Sequence, residues 1–389
     1  MISAPDFGFK LLNLYPCMHR RALIGATLAG LIPACATPAI EPGMRTRRFA
    51  FVSNGKRLVG FLDMPTHRAA RAMIVIAHGY GQTDVAGRTS YYDLRSRFTV
   101  LGIATVIWDK PGCGESEGVF DANQTVASSA QEVRDAVRGL RERGAPGARK
   151  IGIWGISRAG WIAPLAIARD RRIAFWISVS GTDDKESFGY LLENNLRIEG
   201  RGEAEIAALV SEWRRGFEIT RSGGTFADYL AATKNLRRDS FMAYLGSETS
   251  EAEFLSYQPQ VSSAPVDPET GLQIYVPGFA ETLSSLNIPV LALFGEKDTS
   301  VDWRSTAALY QRTIGANPRA RLTVRTFADG NHNLQQAATG GLREMIEMRE
   351  RRASVGYSEA MEDWLRTEVL HESRHGSAPS RRTMRSSRA

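Results

Sequence analysis

Three residues far apart in the 389-residue chain could together cut an acyl bond: Ser157, Asp298 and His332. A neutral serine hydroxyl is a poor nucleophile. It needs a base to take its proton, and the base needs an acid that holds its tautomer and stabilises the imidazolium. Beyond Ser157 the histidines are His332, His371 and His375, and the last two sit near the end of the sequence. Asp298 and His332 each stand on the turn after an expected strand, Ile288-Pro-Val-Leu-Ala-Leu-Phe294 and Arg321-Leu-Thr-Val-Arg-Thr-Phe327. Asp302 is a second candidate acid, placed where a helix N-cap belongs. The intermediate of acyl transfer carries an oxyanion, which asks for two backbone N–H donors. Arg158, directly after the serine, offers one from a helix N-terminus. Tyr80, after His78-Gly79 at the end of another apolar run, offers the second. His78 precedes the serine and reads as structural.

These residues need elements that bring them to one edge. Ile151-Gly-Ile-Trp-Gly-Ile156 reads as a strand, and Ala159, Trp161, Ile162, Leu165 and Ala166 recur at helical spacing. Ser157 is then the apex of a strand–turn–helix unit. Taken alone, that unit reads equally well as a βα turn with a serine cap. Around it, apolar runs at 72–77, 104–108, 173–180, 288–294 and 321–327 alternate with helical stretches near 91–101, 125–143, 303–313 and 357–370. Asn54-Gly55 between two strand-like runs predicts a hairpin at the start. The pattern predicts an α/β fold with a mostly parallel sheet and an N-terminal antiparallel hairpin. Ligands of such sheets bind at the carboxyl ends of the strands, where all the candidate residues fall.

Between 182 and 285 the strand runs vanish. Helical segments are expected near 185–197, 203–217, 225–234 and 240–246, followed by a Pro-rich irregular stretch from Tyr257 to Pro277. The expected organisation is an export signal and linker over 1–46 (signal about 18–35), a core over 47–181, a helical cap over 182–285, the core again over 286–372, and a basic tail over 373–389.

Residues from about 48 to 370 resemble the α/β-hydrolases of the bacterial serine esterase and serine aminopeptidase type. The matching stretches are His78-Gly-Tyr-Gly81, Asp109-Lys-Pro-Gly-Cys-Gly-Glu-Ser116, Gly155-Ile-Ser-Arg-Ala-Gly-Trp-Ile-Ala-Pro164, Pro289-Val-Leu-Ala-Leu-Phe-Gly-Glu-Lys-Asp298 and Gly330-Asn-His-Asn-Leu-Gln335. The resemblance implies the α/β-hydrolase fold, the chain order Ser157, Asp298, His332 for a catalytic triad, and a cap over the pocket. One position departs from it. The second residue after the serine is usually Gly, because strand and helix backbones approach closely there, and here it is Ala159.

Net charge is +7, but residues 1–48 carry six basic against two acidic residues and residues 373–389 carry five basic and none acidic. The body is slightly acidic, so the basic balance does not argue for a nucleic-acid partner. Arg20-Arg21 before an apolar stretch from Ala22 to Ala34 reads as an export signal, too short to span a bilayer. Ile32-Pro-Ala-Cys35 resembles a lipobox, which makes Cys35 a lipidation candidate and membrane anchor; Ala34-Cys35-Ala36 equally fits a small-x-small cleavage site. A periplasmic protein or an anchored lipoprotein is expected. The three cysteines Cys17, Cys35 and Cys113 form no C-x-x-C pair, and no metal or organic cofactor is implied.

The expected activity is hydrolysis of small-molecule carboxylic esters. The alternatives are a serine aminopeptidase or amidase with the same three residues, in which Glu186, Glu193 or Glu199 binds a substrate's amino group, and a non-catalytic envelope binding protein on a hydrolase scaffold.

Overall fold

The computed structural model describes residues 43–85, 91–121, 123–246 and 249–372. The segment expected to be an export signal, with Cys35, and the basic stretch over 373–389 lie outside the described residues. The chain opens on β1 (Met44–Ser53) and β2 (Lys56–Pro65), paired antiparallel across Asn54-Gly55. Both turn residues have positive φ, 49° and 73°, as the tight turn matching strand twist requires. β3 (Ala72–Ala77), α1 (Tyr92–Val100), β4 (Ile103–Trp108), α2 (Val126–Glu142), β5 (Ile151–Ile156), α3 (Ala159–Arg169) and β6 (Ile173–Val179) then alternate. After a helical insertion come β7 (Pro289–Gly295), α10 (Trp303–Arg312), β8 (Arg321–Phe327), α11 (Leu342–Glu347) and α12 (Tyr357–Trp364), the last continuing into a π-helical turn over Leu365–Val369.

The strands form one sheet in the order β1-β2-β4-β3-β5-β6-β7-β8. β1, β2 and β4 pair antiparallel and the rest are parallel. β3 to β6 are continuous apolar runs because both sheet faces are covered. Met73, Val75 and Ala77 of β3 face a core filled by Val133 and Val137 of α2 and Trp161 of α3. Ile74 and Ile76 face the other way, toward Phe98 of α1 and Met361 and Trp364 of α12. One charged pair is sealed into this frame. Asp63 of β2 accepts from Arg95 Nε and Nη2, Thr46 and Thr105, all at 2.7 Å, which ties α1 to the hairpin and β4. Because the pair is dry, losing one partner costs about 3–5 kcal/mol.

The insertion between β6 and β7 holds α4 (Phe188–Ile198), α5 (Glu203–Arg221), α6 (Phe226–Ala232), α7 (Ser240–Leu245), α8 (Glu251–Ser263) and α9 (Phe279–Ser284). Phe188, Leu192, Trp213, Tyr229, Phe241 and Phe254 build a core of its own, joined by Leu342 and Met345 of α11. The expected irregular stretch from Tyr257 is corrected here, since α8 runs through Ser263 with Pro259 inside it. The helix survives because Ser250 and Glu253 form a capping box and Phe254, Tyr257 and Val261 bury one face. The carbonyl that Pro259 cannot satisfy belongs to exposed Leu255. Among the described residues no helix is long and apolar enough to cross a membrane.

Candidate active site

Ser157 sits between β5 and α3 with φ of +56°, a left-handed conformation that non-glycine residues seldom hold. The turn is over-determined. Ser157 N donates to Val179 O of β6 at 2.9 Å, and Gly160 N donates to Ser157 O at 2.7 Å. The start of α3 and the loop after β6 are so close that a Cβ on Gly160 would lie 2.9 Å from Gly181 Cα. A Cβ on Gly155 would lie 2.7 Å from the Ala159 methyl. The methyl at the unusual Ala159 therefore occupies space left by the missing side chain of Gly155.

Asp298 and His332 arrive on the turns after β7 and β8. The two turns nest: Lys297 N donates to Gly330 O at 2.9 Å, and Gly295 lies so close under Gly330 that no side chain fits there. The Asn331 side-chain oxygen accepts from Asn333 N and Gln335 N, which fixes the loop carrying the histidine. His332 Nε2 then lies 2.9 Å from Ser157 Oγ, and Nδ1 lies 2.8 Å from Asp298 Oδ2. Asp298 Oδ1 accepts from Ser300 N at 2.8 Å and Val301 N at 3.0 Å. Ser157, Asp298 and His332 are 7%, 3% and 8% exposed, so the bonds run in a largely dry site. Asp302 stays outside it and caps α10 through Arg304 N and Ser305 N. His371 contacts Lys150 at the far end of the fold, and His375 lies outside the described residues.

Gly79 packs directly on the serine; a Cβ there would touch Ser157 Cβ at 3.4 Å. Among the described residues the backbone N–H groups of Tyr80 and Arg158 meet no acceptor. Tyr80 follows Gly79, which packs on Ser157, and Arg158 follows Ser157 directly in the chain. His78 is spent elsewhere: its Nε2–H donates to Trp108 O at 2.7 Å, and burial, with the Lys110 charge behind it, pushes its pKa down to about 3. It is a neutral structural donor.

The side-chain contacts of two cations here, Arg158 and Lys110, escaped the sequence reading. Arg158 is buried, donating to Ser129 Oγ at 3.0 Å and to Gln124 O, with its guanidinium 5.3 Å over the Tyr80 ring. Burial draws it down to about 10. Lys110 Nζ donates to Gly79 O at 2.6 Å and Gly81 O at 2.7 Å. Burial, then the neighbouring Arg158 charge, brings it down to about 7. The insertion also reaches the site. Tyr190 of α4 donates to Asp298 O at 3.1 Å, and Asn195 bridges Thr299 Oγ1 and Leu342 N. Of the three acids considered for amine binding, Glu193 pairs with Arg197 and Glu199 with Arg343, while Glu186 is buried with one oxygen on Phe188 N–H.

Comparison with known proteins agrees with this architecture. The model of the family described as "Alpha/beta hydrolase family" matches residues 74–342, more than half of the chain, and the chain belongs to that family. The "Quorum-quenching protein AidA" of Acinetobacter baumannii (strain MDR-ZJ06) is 30% identical over 128 residues. That match covers 33% of this chain and 41% of AidA, so it spans less than half of the relative. Among solved structures, DcsB in complex with its substrate analogue superposes with a TM-score of 0.50 at 16% identity, over 84% of this chain and 99% of that one. The Pyrococcus furiosus esterase Pf2001 gives 0.49 at 12% identity, over 84% and 93%.

Proposed function

We propose that this member of the alpha/beta hydrolase family is a serine hydrolase that cleaves carboxylic esters through an acyl-enzyme. The observation that carries the reading is the unbroken hydrogen-bonded chain from Ser157 Oγ through His332 to Asp298. His332 Nε2 takes the serine proton as Oγ attacks the acyl carbon. Asp298 keeps the other ring proton on Nδ1 and offsets the imidazolium charge. The N–H groups of Tyr80 and Arg158 receive the oxyanion, where one well-aimed donor contributes about 3–4 kcal/mol. His332 then gives its proton to the leaving alcohol and activates the water that releases the acid. An aminopeptidase needs an acid free to hold a substrate ammonium. The existing partners of Glu193 and Glu199 support esters over aminoacyl amides. With residues about 18–35 as its export signal, the protein is proposed to act outside the cytoplasm.

The test is turnover of p-nitrophenyl acetate and butyrate, of an aminoacyl p-nitroanilide, and labelling by a fluorophosphonate probe. Ser157→Ala is expected to lower ester turnover by about ten-thousandfold or more and to abolish labelling. Undiminished turnover by the purified variant sinks the mechanism. A preference for the anilide points to the aminopeptidase, and a folded wild type that does not label points to a binding protein.

A further inference from the structure

We propose that Lys110 is a positioning residue that aims the oxyanion-binding N–H of Tyr80; the proposal rests on the serine hydrolase reading above. Lys110 stands on the turn after β4 and reaches across to the turn after the neighbouring β3. Its Nζ donates to Gly79 O and Gly81 O, at 2.6 and 2.7 Å, the two carbonyls that bracket Tyr80. Its own backbone N–H is held by Thr83 Oγ1 at 2.8 Å, so the anchor is itself anchored.

The geometry follows from the peptide bond. Gly79 C=O and Tyr80 N–H belong to one planar unit, and among the described residues no peptide is cis. In a trans peptide the two groups point in opposite directions. Holding the carbonyl oxygen on the Lys110 side therefore aims the N–H away from Lys110. Gly79 lies against Ser157, and among the described residues the Tyr80 N–H meets no acceptor. A donor fixed in this way needs no reorganisation when the oxyanion forms, which is where such donors gain their effect. An ammonium on the carbonyl also polarises the peptide and strengthens the N–H at its other end. Even a neutral amine keeps two N–H groups, one for each carbonyl.

The surroundings point the same way. Lys110, Arg158, Glu132 and His78 line a cavity of about 20 Å³. That is room for one water and not for a substrate group. These groups, His78, Glu132 and Arg158 buried and Lys110 half-buried, therefore act on the protein. Arg158 packs on the Tyr80 ring while Lys110 holds the backbone on both sides of it. Glu132, buried with bonds from Trp108 Nε1 and Gln124, supplies a negative charge for both cations. The loop after β3 is thereby held through its backbone and its side chain.

The test uses the whole protein with Lys110→Met, which keeps most of the stem and removes the donors, and Lys110→Arg, which returns donors. Readouts are kcat and KM for p-nitrophenyl acetate and the inhibition constant of an aryl trifluoromethyl ketone, whose serine adduct carries an oxyanion. Expected for Lys110→Met is a fall in kcat of roughly 10- to 100-fold, below the loss for deleting a donor outright. KM stays within about threefold, ketone affinity weakens by a similar factor to kcat, and Lys110→Arg recovers part of both. A folded Lys110→Met with kcat and ketone affinity within about twofold of wild type overturns the proposal. So does a loss confined to KM. If Lys110→Met fails to fold, judged by thermal melting, Lys110→Gln carries the same comparison. Active Ser157→Ala marks the failure of the hydrolase reading; inactive Ser157→Ala beside fully active Lys110→Met marks the failure of the positioning role alone.

Discussion

Replacing Asp298 by Asn changes one atom, and its consequence follows from the bonds around it. Asp298 Oδ1 accepts from the N–H groups of Ser300 and Val301. In the Asp298→Asn variant the amide oxygen has to occupy that position, because an NH₂ there would face two donors. The NH₂ then faces His332 Nδ1 in place of Oδ2. Nδ1 becomes the acceptor, the ring proton moves to Nε2, and Nε2–H points at Ser157 Oγ. The histidine can no longer take the serine proton. Recovering the productive tautomer means flipping the amide and leaving two buried N–H groups unpaired, at about 1–3 kcal/mol each. At 1.36 kcal/mol per decade, that penalty of about 2–6 kcal/mol lowers the competent population by roughly thirtyfold to twenty-five-thousandfold. The lost negative charge beside the imidazolium places kcat toward the lower end. The fold should persist, since the two backbone bonds are kept. The assay is kcat for p-nitrophenyl butyrate, with the fluorophosphonate labelling rate alongside and thermal melting as the folding control. Asp302→Asn, which alters only a helix cap, should leave kcat within about twofold. Activity of Asp298→Asn within tenfold of wild type, or a larger loss in Asp302→Asn, would falsify the assignment of the acid.

Two stability predictions test the surroundings. Gly155→Ala drives a Cβ to 2.7 Å from the Ala159 methyl and should cost about 1–3 kcal/mol in denaturant unfolding; adding Ala159→Gly should return most of it, whereas strictly additive effects would show that the two positions do not share one space. Glu186 is buried, and that burial raises its carboxyl to about 7 from 4.5. The folded state then holds its proton more tightly than the unfolded chain does, so this group's contribution is fully present below about pH 4.5 and is lost as pH rises through about 7, amounting to about 3 kcal/mol. Glu186→Gln removes the titration and should raise the melting temperature more at pH 8 than at pH 5; equal effects at both pH values rule the account out.

The candidate residues could be grouped from the sequence because each stands on the turn after an expected strand. Strand ends of a parallel sheet share one edge, so Ser157, Asp298, His332 and Tyr80 needed only the strand pattern and the chain order to be grouped. What brings their atoms within 3 Å was not legible. The nesting of Gly295 under Gly330 and the reach of Lys110 to Gly79 O depend on how two turns approach across neighbouring strands, and the bond from Tyr190 to Asp298 O on how α4 packs over the sheet edge. Lys110 lies in a stretch that the resemblance already singled out, yet no spacing rule ties it to residues about thirty positions earlier. Strand order supplies the tie, because β3 and β4 pair in register from Ala72 opposite Ile103. The insertion shows the opposite kind of loss. α8 carries its own start signal in Ser250-x-x-Glu253 and a buried face at Phe254, Tyr257 and Val261, and Pro259 obscured both.

Ala159 illustrates what a single-position pattern leaves out. Read alone, a methyl where the resemblance expects none threatens the close approach of strand and helix, and with it the direction of the Arg158 N–H. The physical requirement belongs to a pair. The gap between the end of β5 and the start of α3 holds one Cβ, not two, and Gly155 supplies none. Ser157 keeps its left-handed φ, and the bonds from Ser157 N to Val179 O and from Gly160 N to Ser157 O are both in place. The Arg158 N–H therefore keeps the backbone frame that directs it, with Ala at 159 or with Gly. Sequence patterns for such elbows are better written as a limit on the combined volume of the residues two before and two after the serine.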